Sequence, residues 1–140
     1  MLRDVVINLQ SVHGYDTDNA DIMEFTTDGL YTMDNGVGCI TYEESELTGM
    51  EGTRTSVFIM PDKVVVDRDG SVTSRMIFKE GEKSSFLYNT PFGKTTLGIR
   101  TSTIKQQLDD HEANVEIDFV MDMNHMVASR NKVSIEVRNA

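Results

Sequence analysis

Val115-Glu116-Ile117-Asp118-Phe119 reads apolar, acidic, apolar, acidic, apolar, and Met121 and Met123 carry the apolar side onward. A period of two is the signature of a strand with one packed and one wet face. The same alternation recurs along the chain. Val133, Ile135 and Val137 alternate with Ser134, Glu136 and Arg138. Phe86, Tyr88 and Thr90 share a side, as do Leu97, Ile99 and Thr101, and a longer stripe runs through Met23, Phe25, Thr27, Gly29, Tyr31 and Met33. No window longer than about two turns holds a helical period. Ile104–His111 comes nearest, and it reads equally as a strand with Ile104, Gln106 and Leu108 on one side.

Turn chemistry separates these runs. Asp34-Asn35-Gly36 carries the Asn-Gly pair that tolerates positive φ at both central hairpin positions. Pro61-Asp62, Arg68-Asp69-Gly70 and Glu80-Gly81-Glu82 read as further hairpin turns. Thr90-Pro91-Phe92-Gly93 places Pro second and Gly fourth, as a type I turn prefers. Asp110–Asn114 reads as a longer polar turn. Strands are therefore expected near 3–13, 21–33, 37–46, 54–60, 63–68, 71–79, 83–90, 94–109, 114–123 and 132–138. So many hairpin-linked strands in a small domain imply a meander, and closure removes its exposed edges. The expected fold is all-β, an antiparallel meander barrel of about eight to ten strands forming a single domain over residues 1–140.

Composition narrows the function classes. The chain has 140 residues, 39% of them hydrophobic, and a net charge of −10. That excess of carboxylates argues against nucleic acid or an anionic membrane as partner, since both need a cationic face. No stretch approaches the roughly 20 apolar residues of a membrane helix. The opening run Val5-Val6-Ile7 is bracketed by Asp4 and Asn8, unlike a signal peptide. Cys39 is the single cysteine, so no internal disulfide can form, and its place between Gly38 and Ile40 suits a small buried hydrophobe. A reducing cytoplasm is the expected location.

Several stretches together resemble the YwiB-like family of bacterial proteins. They are Tyr42-Glu43-Glu44-Ser45-Glu46-Leu47-Thr48-Gly49, Arg68-Asp69-Gly70, Phe78-Lys79-Glu80-Gly81, Tyr88-Asn89-Thr90-Pro91-Phe92-Gly93, Leu97-Gly98-Ile99-Arg100-Thr101 and Asn131-Lys132-Val133-Ser134-Ile135. The combination of the Tyr-x-Thr-Pro-Phe-Gly and Leu-Gly-Ile-x-Thr segments is the most specific. The resemblance implies a calycin-type barrel, related in shape to lipocalins. It implies no reaction, because the family has none assigned, and a fold alone does not fix a function.

Strand parity suggests where a site could sit. Glu44 continues the side of Ile40 and Tyr42, and Arg68 continues that of Val64 and Val66. A meander could bring Glu44 and Arg68 to one barrel end, as a ligand-fixing couple or as a structural pair at the rim. Val65 is equally apolar and faces the other way, which leaves the parity of Arg68 open. Tyr42, Tyr88 and Thr90 offer hydroxyls on packed faces, either to a ligand or to the core. Arg75 and Arg100 fall on outward positions. The nine Met suit an adaptable apolar pocket or ordinary core filling. His13, His111 and His125 lack metal-ligand spacing, and no phosphate loop, nucleophile elbow or zincin motif is present. Thr48-Gly49-Met50-Glu51-Gly52 reads as a loop at a barrel mouth.

The leading expectation is a non-enzymatic barrel that binds a small, partly apolar molecule through Tyr42, Glu44, Arg68, Tyr88 and Thr90. It carries no assigned catalytic residue, metal or cofactor. A filled barrel acting as a protein-interaction module or homodimer is one alternative. A small acid–base enzyme using an interior Glu44 is the other.

Overall fold

The computed structural model describes residues 2–15, 18, 20–123 and 127–140. The expected turn at Asn124-His125 lies outside the described residues. Ten strands run β1 Arg3–His13, β2 Asp21–Asp34, β3 Val37–Glu43, β4 Thr53–Ile59, β5 Val64–Gly70, β6 Ser74–Phe78, β7 Lys83–Thr90, β8 Gly93–Leu108, β9 Ala113–Met123 and β10 Val127–Asn139. All neighbours are antiparallel, in the order β6-β5-β4-β3-β2-β1-β10-β9-β8-β7. The first and last strands pair in the middle of the sheet, and its two edges, β6 and β7, follow one another in sequence. These edges meet through reciprocal main-chain hydrogen bonds between Thr73 and Asn89, at 2.9 and 3.0 Å. Ser84 adds a side-chain bond to the Ile77 carbonyl. The barrel is thus nearly closed, with an isolated bridge where a full ladder would otherwise run.

The alternation decides what fills it. Val5, Ile7, Tyr31, Ile40, Val57, Ile59, Val64, Phe78, Ile99, Ile117, Phe119 and Val137 are all inward and buried. Phe78 and Phe119 meet edge to face with ring centroids 5.0 Å apart, a favoured aromatic geometry. Asn35 and Gly36 adopt φ of 52° and 79°, the type I′ hairpin expected of Asn-Gly. The register of β8 against β9 shifts between Thr101 and Thr103. This bulge moves the inward side from Leu97, Ile99 and Thr101 to Ile104, Gln106 and Leu108, so both sequence stripes face the core.

Three boundaries differ from the sequence reading. Arg68-Asp69-Gly70 is not the turn but the end of β5, paired with Thr55, Arg54 and Thr53. The turn falls at 71–73, because Val72 is buried and its N–H donates to Thr53 Oγ1 at 3.0 Å. β3 stops at Glu43, three residues early, where Ser45 and Glu46 carbonyls accept bonds from Thr48 and Gly49 in a local turn. β10 begins five residues early, since pairing of Ser129–Lys132 with β9 needs only main-chain groups.

The two barrel ends are unlike. At one end Tyr31, fully buried, donates its hydroxyl to the Asp109 carbonyl at 2.8 Å. Gln106 Nε2 likewise reaches across to the Met60 carbonyl at 2.8 Å. Both bonds tie strands to turns far away in the sheet and close that end. At the other end, where the odd-numbered strands finish, the inward-facing Phe25, Tyr88, Leu97 and Met121 are partly buried, as Met33 and Leu108 are at the first. Lacking the Tyr31 and Gln106 cross-ties, that end is taken as the barrel mouth.

Gly29 shows how tight the wall is. A Cβ there would lie 2.7 Å from the Thr41 carbonyl oxygen, 3.3 Å from Tyr42 Cβ, and against Ile7 Cδ1. A backbone oxygen cannot swing aside as a side-chain tip can. Gly29→Ala is therefore expected to destabilise the fold by about 1–3 kcal/mol through overpacking, read as a lowered urea midpoint with unchanged slope.

Candidate functional site

The mouth carries a polar layer that the register assembles residue by residue. Tyr42 on β3 stands opposite Thr55 on β4, and Thr55 opposite Arg68 on β5. Arg68 stands opposite Ser74 on β6. Across the seam the Thr73–Asn89 bridge joins the residue before Ser74 to the residue after Tyr88 on β7. Glu44, just past β3, drops its carboxylate into this layer, with a side chain only 1% exposed. A buried carboxylate must be paired or hydrogen-bonded. Thr55 Oγ1 donates to Glu44 Oε2 at 2.5 Å, and Thr48 Oγ1, from the β3–β4 loop, donates to Oε1 at 3.1 Å. Both oxygens are therefore held by hydroxyls.

Arg68 is held far less completely. Its Nε lies 3.8 Å from Glu44 Oε2, too long for a hydrogen bond. Its Nη1 donates to the Met76 thioether sulfur at 3.4 Å, a weak acceptor. The side chain is 18% exposed, and Nε is buried without a hydrogen-bond partner. The neighbouring Ser74 Oγ, in a residue 4% exposed, also lacks a partner. A guanidinium offers five N–H donors in a planar fork, so most of this fork is unspent.

Burial pushes the Tyr42 phenol well above its ordinary range, and the charge of Glu44 beside it adds to the rise while Arg68 opposes it. Tyr42 thus stays neutral and packs against Phe25, with centroids 6.3 Å apart. Partial burial likewise raises the Cys39 thiol, which sits half-buried on the outward side of β3 and not in the core as its flanking Gly38 and Ile40 suggested. A thiol raised this way is a poor nucleophile.

Tyr88 continues the layer into a groove of about 430 Å³ on the inner face of the β7–β8 hairpin. Its lining includes Thr90, Phe92, Lys94, Thr95, Leu97 and Met123. Thr90 sits at the rim, with its hydroxyl engaged in the turn: it donates to the Gly93 carbonyl and accepts the Phe92 N–H. Phe92, at the hairpin tip, is 100% exposed. A larger concavity of about 550 Å³ lies on outward-facing side chains of β1, β2, β8, β9 and β10, including Asn8, Gln10, Glu24, Lys105 and Glu136. Within it the Asn8 amide oxygen accepts the Thr26 hydroxyl at 2.6 Å, and Glu116 pairs with Lys132. Among the described residues no group of three or more His, Cys, Asp and Glu side chains lies together as a metal cluster. No helix among them is long and apolar enough to cross a membrane.

Of the five residues singled out from sequence, Tyr42, Glu44, Arg68 and Tyr88 meet in one layer, and Thr90 lies one step out at the rim. Thr48, Thr55 and Ser74 were missed. Thr53 and Thr55 extend the inward stripe of Val57 and Ile59, and hydroxyls on an apolar stripe are the signal that could have found them.

The description of a domain of unknown function, DUF1934, matches residues 7–135. The chain belongs to this family. It is 30% identical to the uncharacterized beta-barrel protein YwiB of Bacillus subtilis (strain 168) over 107 residues, which are 76% of this chain and 73% of that one. It superposes on the crystal structure of YwiB from Bacillus subtilis with a TM-score of 0.87 at 23% identity, covering 99% of this chain and 93% of that one. The resemblance read from the sequence motifs and the barrel fold both stand. The family has no assigned activity, so the chemistry of the mouth must speak for itself.

The Tyr42 environment yields a pH dependence. Its pKa is raised on folding, so its contribution is intact below the unfolded value of 10.0 and is lost as pH rises through the higher folded value. Urea stability should therefore fall above pH 10, and the fall should be shallower in Tyr42→Phe. Equal slopes in the two proteins would show that the phenol is not buried beside Glu44.

Proposed function

We propose that this chain is a non-enzymatic binding barrel for a small, partly apolar molecule held at the mouth. One observation carries the reading: Arg68, at the open end, has buried donor capacity that no protein group uses, beside the equally unpartnered Ser74 hydroxyl. Natural interiors leave few such groups, because each costs about 1–3 kcal/mol when unmet. The apolar groove begins at Tyr88, on the other side of Ser74. Polar anchor and apolar wall together are the usual make-up of a small-molecule site. The ligand sits at the mouth and not in mid-barrel, where Phe78, Phe119 and Ile117 fill the space. This is the lipocalin-like idea expected from the calycin resemblance, proposed in a shallower form. Glu44 acts as a support here and not as a base: its side chain is only 1% exposed, out of reach of a molecule at the mouth, and hydroxyls hold both oxygens in place. A reducing cytoplasm suits the reading, with Cys39 remaining a thiol.

Self-association through the rim is the second reading, favoured by the contiguous apolar patch that exposed Phe92 and half-exposed Met123 form with Leu97 around the groove. Methyl NMR of methionine-labelled protein separates the two. Titration with octanol should shift Met76, Met121 and Met123 and leave Met33 and Met60, at the closed end, in place. Shifts that scale with protein concentration, and not with octanol, would replace ligand binding with self-association.

A further inference from the structure

The mouth also indicates what class of molecule it takes. We infer that the ligand is an aliphatic monocarboxylate, its carboxylate on the Arg68 fork and Ser74 hydroxyl and its chain along Tyr88, Leu97 and Met123. The inference rests on the binding reading above and adds the ligand's chemistry to it.

The free groups at the head position are donors. Arg68 offers unspent N–H groups, and Ser74 offers a hydroxyl whose neighbours leave it unbonded. A carboxylate is the planar acceptor that a guanidinium fork matches with two parallel bonds. The groove supports the sign of charge. Its lining holds one cation, Lys94, and no carboxylate. In a chain of net charge −10 that local balance is the exception.

Glu44 sets the limit on charge. Its carboxylate lies 3.8 Å from Arg68 Nε and already offsets one positive charge. A monocarboxylate leaves the Glu44–Arg68–ligand cluster with one net negative charge. A phosphate dianion would leave two, at close range and with little water, where like charges repel strongly. A cation is disfavoured in turn, because the Arg68 guanidinium would face the newcomer at like charge. The tail follows from shape. Leu97 and Met123 are register partners on the inner face, and Met123 is half exposed, a soft apolar wall with no ligand of its own.

Isothermal titration calorimetry with octanoate, octanamide and octyl phosphate tests this on one chain length. Octanoate is expected to bind one per chain, with octanamide and octyl phosphate each weaker by about tenfold or more, the worth of a hydrogen bond to a charged group. Arg68→Met should cost octanoate about tenfold and leave octanamide nearly unchanged. Arg68→Lys should recover only part, because it restores the charge without the fork. If Arg68→Met fails to fold with Glu44 left unpaired, the double variant Glu44→Gln/Arg68→Met removes both charges and carries the same expectation. Octanamide or octyl phosphate binding as tightly as octanoate, or octanoate indifferent to Arg68, would overturn the carboxylate assignment and leave the binding barrel standing. No heat and no methyl shift with any of the three would overturn the binding barrel itself.

Discussion

Everything in this molecule follows from how a ten-stranded sheet is made to close. The terminal strands pair in the middle, so closure falls to β6 and β7, and these meet at the Thr73–Asn89 bridge instead of along a full ladder. A barrel of this strand number is wide for side chains alone to fill. Its middle is filled by aromatic and β-branched residues, with Phe78 against Phe119 as the central contact. Its ends are finished in opposite ways. Two long-range hydrogen bonds, from Tyr31 and Gln106, close one. The other is finished with polar side chains that cannot all satisfy one another.

That second end is where packing gives way to chemistry. Glu44 is buried, and Thr48 and Thr55 make its burial tolerable. Arg68 neutralises it from a distance but does not bond it. The arrangement keeps a guanidinium fixed and partly unspent at the edge of an apolar groove. Preorganised donors of this kind favour binding because their ordering cost is met in folding. The Ser74 hydroxyl lies at the seam itself, so the gap in the ladder and the polar layer share one place in the fold.

Much of this was legible in the residues. Strand after strand announced itself by alternation, and Asn35-Gly36 by its turn chemistry. Two stripes of opposite phase, Leu97-Ile99-Thr101 and Ile104-Gln106-Leu108, already implied a defect in β8, and the bulge at Thr101/Thr103 is its cause. Parity put Glu44 and Arg68 on inward faces, and the meander brought them together. What could not be read was register across strands distant in sequence. Ser74 and Tyr88 come to one seam only because β6 and β7 close the barrel at the Thr73–Asn89 bridge, and no local pattern encodes that. The turn at 71–73 was misplaced for a related reason. Asp69-Gly70 carries turn residues, but the burial of Val72 and its bond to Thr53 outweigh them. Which end is open depends on single side chains, Tyr31 and Gln106, reaching across the barrel.

Native mass spectrometry of the chain purified gently from a bacterial host tests the central claim most directly. The account expects one small organic acid per chain, released on denaturation and absent from the folded Arg68→Met variant. A bound mass retained undiminished in that variant, or a stable dimer carrying nothing, would contradict it.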